Sequence, residues 1–353
     1  MALRSRGAIS GRQAAVREEW MMVNVGLWFD FRNPLSTGRA LNDVYASAFE
    51  HIRNAEQLGY AEVWTTEHHF IDDDYSSSLM PICAAIAAMT TSVRIGTAVL
   101  LLPFHDPVRL AEDAATVDII SGGRLDLGVG VGYRVGEFES FGIDFHTRGR
   151  RMSEAAQVVT RAWLPGEFSH HGTFYDYDNV DVRPKPLQDP MPLWFGGLTP
   201  PAARRAARYG TGFIAGAGPS VIDDYAGACA KNGKPVGRIC QGLGFSAVAK
   251  DPEAAWAELR ESIFYQRHRY AEWLTDAGSD NVWPVPETPE AIRDAEPDIV
   301  VAPDRTLQIV RDMLAEDPRI TDMYWHPQPP GLADRVAAES IELFAREVLP
   351  HLP

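Results

Sequence analysis

The feature that most constrains the fold is a repeated alternation of short apolar runs and longer amphipathic stretches, which begins at Val23. Strands that alternate with helices indicate βαβ units and a parallel sheet. Eight such units without a linker predict a closed (β/α)8 TIM barrel of the α/β class, with a doubly wound open sheet as the alternative. The apolar runs place the strands at residues 23–29, 61–67, 93–102, 124–132, 192–197, 211–216, 238–250 and 320–326.

The length of 353 residues is more than twice the roughly 150 residues of an average domain, which suits two domains or one large barrel. We expect a flexible N-terminal extension over residues 1–21 and one barrel domain over residues 22–353. Residues 168–186 alternate and are rich in turns, which predicts a β-hairpin insertion. Residues 274–300 break the rhythm and predict a lid-like excursion over the barrel mouth, with Trp283 in it.

Composition and charge exclude several classes of partner. Lys and Arg number 33 against 48 Asp and Glu, and the net charge of −15 disfavours nucleic acids and anionic membranes. No apolar run reaches the roughly 18 residues of a membrane span, and the N-terminus lacks the apolar core of a signal peptide. Three distant cysteines, Cys83, Cys229 and Cys240, form no CxxC motif and fit a reducing compartment. We therefore expect a cytoplasmic protein.

Chemically capable residues follow the predicted strands, at the end of a TIM barrel that carries the active site. Glu67, His68 and His69 follow the second strand, and either histidine suits general acid–base catalysis near neutral pH. If the strand continues, only one of the two histidines can face the mouth. The alternative is that both histidines only hold the loop together. A metal site is disfavoured because the chain has no HExxH or HxH motif.

Glycine-rich loops follow two further strands. The segment DLGVGVGYRVG (126–136) departs from a dinucleotide fingerprint, because Tyr133 occupies the place of the last glycine. Its glycines, Gly132 among them, let a flat ligand approach the backbone. The segment FGGLTPPAARRAARYG (195–210) offers backbone N–H groups and a helix dipole, which indicate an anion site. A simple N-cap role for Thr199 is the alternative.

The segments VWTTEHHF, RIGTAVLLLPFHDPVRLAEDAATVDIISGGRLDLGVGVGY and PLWFGGLTPPAARRAARYGTGF, in this order, resemble the bacterial luciferase-like family of flavin-dependent monooxygenases. The resemblance implies reduced FMN at the mouth, which reacts with O2 to give a flavin 4a-peroxide that oxygenates a bound substrate. It implies that His68 is the acid–base residue beside the flavin. It also implies that the segment Ala98–Val99 packs on the flavin ring, often through a cis peptide, and that residues 197–199 hold the phosphate.

The chain departs from the luciferases at two positions. Val131 stands where they have a phosphate-binding arginine, so the charge must come from another cation or the phosphate must rely on N–H groups. The other candidates are Arg134, Arg148 and Arg150. Asp106 replaces a histidine of the luciferases, so the resemblance does not extend to light emission with a long-chain aldehyde.

These arguments define a set of site residues. The expected catalytic residues are His68 and His69. The expected cofactor-binding residues are Ala98, Val99, Gly132, Tyr133, Gly197, Leu198 and Thr199. Aromatic residues are expected to keep the substrate pocket dry, namely Trp28, Phe31, Tyr75, Phe104 and Trp325. An aromatic mouth without a cluster of arginines suggests an uncharged, largely apolar substrate.

The chain shows no fingerprint for a pyridine nucleotide, so we expect a separate flavin reductase to supply reduced FMN. The resemblance also implies a homodimer. The nearest alternative is a deazaflavin-dependent oxidoreductase of the same superfamily, which transfers hydride without oxygen. Those relatives more often carry an Asp-His pair where this chain has Glu67-His68-His69, although the GVGVGY loop is closer to theirs. A non-catalytic flavin-binding protein and a metal-dependent barrel hydrolase are the alternatives from other classes.

Overall fold

A computed structural model describes residues 23–216, 218–278 and 284–352. The predicted extension over residues 1–21 and Trp283 lie outside the described residues. Eight parallel strands form a closed ring, because the strand Arg94–Thr97 pairs with both Glu62–Thr65 and Leu125–Gly130. The predicted TIM barrel is confirmed, and the open sheet is wrong. The strands are β1 Asn24–Phe29, β2 Glu62–Thr65, β3 Arg94–Thr97 with its continuation β4 Leu100–Leu101, β5 Leu125–Gly130, β8 Leu193–Gly197, β9 Gly212–Ala215, β10 Arg238–Gly242 and β13 Asp322–Trp325.

Helices surround the barrel and often begin at proline, whose fixed φ and missing N–H suit the first helical turn. Within the described ranges, no helix is long and apolar enough to cross a membrane. The helices are α1 Leu41–Gln57, α2 Leu79–Met89, α3 Pro107–Ser121, α4 Val135–Ser140, α5 Arg148–Ala162, α6 Pro200–Tyr209, α7 Pro219–Lys231, α8 Pro252–Asp276, α9 Pro289–Ala295, α10 Pro303–Glu316 and α11 Asp334–Glu347.

Large aromatic side chains fill the centre of the barrel. The rings of Trp64 and Trp194 meet edge to face with centroids 5.6 Å apart, and Tyr324 lies 6.4 Å from Trp64. A Cβ at Gly96 would lie 2.1 Å from the ring of Trp64, and one at Gly212 would lie 2.5 Å from that of Trp194. Glycine at these two inward positions therefore makes room for the tryptophans.

The structure corrects two predicted strands. The strand over 93–102 is interrupted by a cis peptide bond between Ala98 and Val99, so its end forms the separate β4. The strand over 238–250 leaves the barrel after Gly242. Its remainder contains β11 (Ala247–Val248), which pairs with β12 (Val300–Val301) and donates a backbone hydrogen bond to Ser340 of α11. An apolar run fits both locations because both are buried, so the pattern could not separate them.

The two predicted insertions differ in structure. Within 168–186, β6 (Phe168–His171) and β7 (Asp176–Val180) form an antiparallel pair. The described parts of the segment 274–300 are more regular than expected, because its first residues end α8 and residues 289–295 form α9. The stop signal for α8 is Gly278, which has a φ of 62° and lies just beyond the helix.

Candidate active site

His68 lies at the centre of a hydrogen-bonded chain in the loop after β2. Its Nδ1 is 2.9 Å from Oε1 of Glu137 on α4, and its Nε2 is 3.1 Å from the hydroxyl of Tyr133. The ring meets that of Tyr75 edge to face at 4.9 Å and lies 5.3 Å from Trp273. His68 is 5% exposed. The structure thus brings together three residues of the predicted site, His68, Tyr75 and Tyr133, and adds Glu137.

The ionised state of Glu137 fixes the donor and the acceptor in each of these hydrogen bonds. Burial raises the pKa of Glu137, but the hydrogen bond and the charge of His68 outweigh it and hold that pKa below its usual value. An ionised carboxylate only accepts hydrogen bonds, so Nδ1 of His68 carries a proton and donates to Glu137. In neutral His68, Nε2 then accepts from the Tyr133 hydroxyl. Burial keeps the pKa of Tyr133 well above its usual value, so the phenol stays protonated.

His69 belongs to a second cluster on the other side of the same loop. Its Nε2 is 2.7 Å from Oε1 of Glu67, and Nε2 of His105 is 3.2 Å from the same oxygen. The backbone N–H of Leu101 donates to the other oxygen at 3.1 Å. Burial opposes ionisation of Glu67, but the hydrogen bonds from His105 and His69 and their charges lower its pKa to about 2. The side chain of His69 therefore holds the buried Glu67 carboxylate and takes no part in the hydrogen bonds that join Glu137, His68 and Tyr133.

Arg134 joins the loop after β5 to the loop after β2. Its Nη1 donates to the carbonyl of His69 at 3.0 Å and to Oε1 of Glu137 at 3.1 Å, while its guanidinium lies 4.9 Å from the ring of Trp273. The same Glu137 oxygen accepts the backbone N–H of His69 at 2.8 Å. These contacts engage Arg134, so it is a poor choice among the three predicted phosphate cations.

The C-terminal half of α8 forms an aromatic wall over the mouth. Arg32, buried beyond β1, donates from Nε to Asp73 at 2.7 Å and is surrounded by four aromatic rings. The ring centroids lie 5.1–5.8 Å from its guanidinium carbon and belong to Tyr75, Tyr265, Tyr270 and Trp273. The hydroxyls of Tyr75 and Tyr270 are 2.7 Å apart. Sequence reasoning missed this wall because it placed the lid after residue 274.

Asp30 and His326 form a buried polar pair beside Trp28. Nε2 of His326 is 3.7 Å from Oδ2 of Asp30, and its ring meets that of Trp28 edge to face at 4.6 Å. Burial raises the pKa of Asp30 to about 7, against the lowering effect of Arg32. Burial and the charge of Arg32 hold the pKa of His326 well below its usual value. His326 therefore favours its neutral form near neutral pH, and Asp30 holds its proton to a higher pH than an exposed aspartate does.

The other predicted pocket residues divide into two groups. Trp28 donates from Nε1 to the Ala98 carbonyl at 3.1 Å, and Phe104 packs against His69 at 5.6 Å. Phe31 and Trp325 are buried and contact the outer helices, and their place in the substrate pocket stays a prediction. Phe31 lies 4.8 Å from Tyr45 of α1, and Trp325 stacks on Phe344 of α11 at 5.6 Å. Side chains alternate along a strand, and the inward position at the end of β13 belongs to Tyr324.

Val99 and Gly132 line the ends of β4 and β5. A Cβ at Gly130 would lie 2.3 Å from Val99, and one at Gly196 would lie 2.5 Å from it, so glycines on β5 and β8 make room for this side chain. Gly132 has a φ of 75°, and a Cβ there would lie 3.1 Å from the ring of Phe138. The backbone at Gly132 therefore requires glycine for its conformation.

The loop between β8 and α6 has the features of an anion site. Thr199 precedes α6, and its side chain makes no capping hydrogen bond to the helix. The backbone N–H groups of Leu198 and Thr199 have no hydrogen-bond acceptor among the described residues. The carbonyl of Gly197 accepts the N–H of Gly216 at 3.2 Å, which fixes the loop against β9. Free N–H groups at a helix N-terminus bind phosphate well, so the loop fits the phosphate of a flavin.

Arg148, another of the predicted phosphate cations, lies near α6. It begins α5 and donates to the carbonyl of Phe145 at 2.9 Å, and no carboxylate in the described part of the chain lies within 4.0 Å of it. Burial and then the charges of Arg148 and Arg204 lower the pKa of Arg205, which places Arg148 close to α6. The described residues contain no group of three or more His, Cys, Asp or Glu side chains that could hold a metal ion.

Fold and site together define a TIM-barrel protein with a buried, hydrogen-bonded histidine and a loop of free backbone N–H groups at the carboxyl ends of its strands. The family model of the luciferase-like monooxygenases matches residues 22–300. The chain belongs to this family, as the sequence resemblance predicted.

The oxygenase component of a flavin-dependent trigonelline monooxygenase from Acinetobacter baylyi is 31% identical over 179 residues. That match covers 50% of this chain and 49% of the relative, so it spans about half the length of each protein. Among solved structures, the monooxygenase RslO1 from Streptomyces bottropensis has a TM-score of 0.80 at 24% identity, covering 93% of this chain and 99% of the other. An F420-dependent secondary alcohol dehydrogenase has a TM-score of 0.72 at 18% identity, with coverages of 93% and 98%.

Proposed function

We propose that the protein is a flavin-dependent monooxygenase that uses reduced FMN and O2 to oxygenate a small, largely apolar substrate. The observation that carries the proposal is the chain Glu137–His68–Tyr133 under an aromatic wall at the barrel mouth, in a member of the luciferase-like monooxygenase family. FMN, when bound, supplies the reducing electrons and activates O2. Residues 197–199 and Arg148 would hold its phosphate, with Val99 and Gly132 beside its ring.

His68 is the residue that holds and moves a proton in this proposal. Glu137 fixes the proton on Nδ1, which leaves Nε2 to exchange a proton with the Tyr133 hydroxyl. When Nε2 takes up a proton, the nearby Glu137 carboxylate stabilises the imidazolium. Tyr133 can then accept a hydrogen bond from Nε2 and pass a proton toward the mouth. The histidine thus supplies and removes protons without admitting water.

The aromatic wall excludes water from the reacting groups. Tyr75, Tyr270 and Trp273 surround the His68 side of the mouth, and Arg32 holds them through its ring contacts and its pairing with Asp73. A dry site prevents loss of activated oxygen to water. We propose α8 as the lid in place of the loop predicted over 274–300, because these rings lie on or against it. A largely apolar substrate suits such a wall.

We propose that a separate reductase delivers reduced FMN to a homodimer. The trigonelline enzyme is described as an oxygenase component, which supports a partner that supplies reductant. Hydride transfer with a deazaflavin is the second candidate, since one similar fold is that of an F420-dependent dehydrogenase. His68 would serve as a proton donor or acceptor in either reaction. A flavin-binding protein without catalysis is the third, and it predicts that His68→Ala leaves every activity unchanged.

An anaerobic titration distinguishes these candidates. The protein is titrated separately with reduced FMN and reduced deazaflavin, and each complex is mixed with oxygen in a stopped-flow spectrometer. We expect tighter binding of reduced FMN and an oxygen-dependent spectral transient that free FMN does not show. Preferential binding of deazaflavin without any reaction with oxygen would contradict the proposal and favour hydride transfer. The variant Thr199→Ala serves as a control, because it removes a hydroxyl at the expected phosphate loop and leaves His68 in place.

A further inference from the structure

A second polar groove lies on the outside of the barrel, between α5, α6 and the hairpin of β6 and β7. Its volume is about 810 Å³, within the range typical of small-molecule sites. Polar side chains line it, including Ser153 and Gln157 of α5 and Tyr209 of α6. The amide of Gln157 donates to the hydroxyl of Tyr209 at 3.0 Å and thereby joins the two helices.

Three arginines give this groove a positive charge on a protein whose net charge is −15. Arg150, Arg205 and Arg208 line the groove, and no carboxylate among the described residues lies within 4.0 Å of their guanidinium nitrogens. Arginines elsewhere contrast with them: Arg238 and Arg319, for example, each contact two or more carboxylates. Arg150, Arg205 and Arg208 therefore place three guanidinium groups without a paired carboxylate in one groove.

The acidic side chain in the groove does not neutralise these arginines. Glu154 directs its carboxylate to the hairpin, where it accepts the backbone N–H groups of Thr173, Phe174 and Tyr175 at 2.9–3.1 Å. Burial opposes ionisation, but these hydrogen bonds and that of His170 hold the pKa of Glu154 below its usual value. The Glu154 carboxylate is thus bound by the N–H groups of the hairpin and not by an arginine of the groove.

Arg205 is held at the base of the groove. Its Nε donates to Ser153 Oγ at 3.3 Å, and a Cβ at position 149 would lie 2.6 Å from its Nη2. Gly149 therefore leaves room for this guanidinium above the first turn of α5. Neighbouring Arg148 and Arg204 add like charge around the half-buried Arg205. Crowding of cations without counter-charges raises the free energy of the ligand-free groove, and a bound anion relieves it.

We propose that this groove binds a small molecule that carries a pyrophosphate group. Three guanidinium groups suit more than one anionic charge, and the planar arginine fork matches phosphate oxygens. The groove is separate from the flavin-phosphate loop, because its lining excludes residues 197–199. The pyrophosphate is either free or part of a nucleotide, and the two sources share the same recognition by arginine.

Calorimetric titration of the cofactor-free full chain with inorganic pyrophosphate at low ionic strength tests the proposal. We expect saturable binding that weakens as salt is added. The double variant Arg150→Gln/Arg208→Gln is expected to weaken binding by about tenfold or more, since it removes two charged contacts from exposed positions. The matched control is Arg161→Gln, an exposed arginine at the far end of α5 outside the groove. Equal affinity of wild type and double variant, or an equal loss in the control, would overturn the proposal.

Two further titrations define the ligand. Comparison of ADP with pyrophosphate distinguishes the sources: tighter binding of ADP indicates a nucleotide, and equal binding indicates the free anion. Repeating the pyrophosphate titration in the presence of saturating FMN tests whether the groove is separate. Unchanged affinity is the expected result, and competition by FMN would contradict a site distinct from the flavin phosphate. The first titration needs no flavin, so its outcome is independent of the proposed oxygenase activity.

Discussion

The two ends of the barrel both contain buried carboxylates, but they pair them with different cations. At the amino ends of the strands, which we call the floor, Arg238 contacts Glu62 at 2.6 Å and also contacts Asp322 and Asp126. Arg94 binds Asp126 in a bidentate manner at 2.6 and 2.9 Å. At the mouth, the carboxylates pair with histidines as well as with arginine.

This difference separates stability from chemistry. Arginine keeps its charge at every pH at which the protein folds, so the floor contacts of Arg238 and Arg94 hold the strands in register. Histidine changes its charge near neutrality, so the contacts of His68 with Glu137 can hold or release a proton. We therefore expect the floor to carry stability and the mouth to carry function, as in TIM barrels generally.

The largest effect is expected from Arg238→Met, which leaves three buried floor carboxylates without their shared cation. Loss of one partner of a buried ion pair costs about 3–5 kcal/mol of unfolding free energy. Urea denaturation followed by circular dichroism measures this cost. Arg94→Met is the matched control and is expected to cost less, because Arg94 contacts one carboxylate. A loss of flavin binding by folded Arg238→Met protein, with unchanged stability, would reverse the roles of the two ends.

The second effect is a dependence of stability on pH that arises at Asp30. Burial raises its pKa from 3.8 to about 7, so the folded state binds a proton that the unfolded state releases. Its contribution to stability is present below pH 4 and is lost as the pH rises from about 4 to about 7. The loss is up to about 4 kcal/mol. Asp30→Asn should flatten the unfolding free energy over this window, and an unchanged slope in the variant would exclude Asp30 as its source.

The third effect concerns turnover. Glu137→Gln retains the shape of the side chain but removes the charge that fixes the His68 proton, so we expect turnover to fall by about a hundredfold. The control is Glu139→Gln, two residues further along α4 and exposed. Equal rates in wild type and Glu137→Gln would show that Glu137 only supports the fold.

The smallest effect is expected from His69→Gln. His69 supplies one of the contacts that hold Glu67, and His105 and Leu101 retain theirs, so the loss of stability should be about 1 kcal/mol. Turnover should remain close to that of wild type, whereas His68→Gln should abolish it with little change in stability. Thermal unfolding and turnover measured on both variants test this contrast. Equal loss of turnover in both variants would show that the two histidine clusters act as one site and would contradict this contrast.

The fold was predictable from the sequence because its signal is local. Each strand and helix shows its own periodicity, so the eight units and the ends of helices such as α1 before Gly59 follow from neighbouring residues. The error at residues 243–250 arose because an apolar run does not specify which buried surface it joins. The direction of Trp325 could have been inferred from alternation along β13, with Tyr324 facing inward.

The site was predictable only in part. The motif around His68 and the loop at Thr199 were visible because their residues are contiguous. Glu137 lies 69 positions from His68, and no local pattern joins them. The wall on α8 was missed for the same reason, since Tyr270 meets Tyr75 across 195 positions. One sequence signal could have pointed to Glu137. It is an acidic residue in the first turn of a short helix that follows the end of β5, where the active sites of TIM barrels lie.

The central claim is that Glu137 fixes the proton of His68 on Nδ1. Nitrogen-15 NMR of histidine-labelled, cofactor-free protein tests it directly, with the His68 signals assigned by their absence in His68→Gln. We predict that neutral His68 carries its proton on Nδ1 in the wild type, and that Glu137→Gln increases the Nε2-protonated form. A wild-type His68 protonated on Nε2, with no change in the variant, would contradict the account.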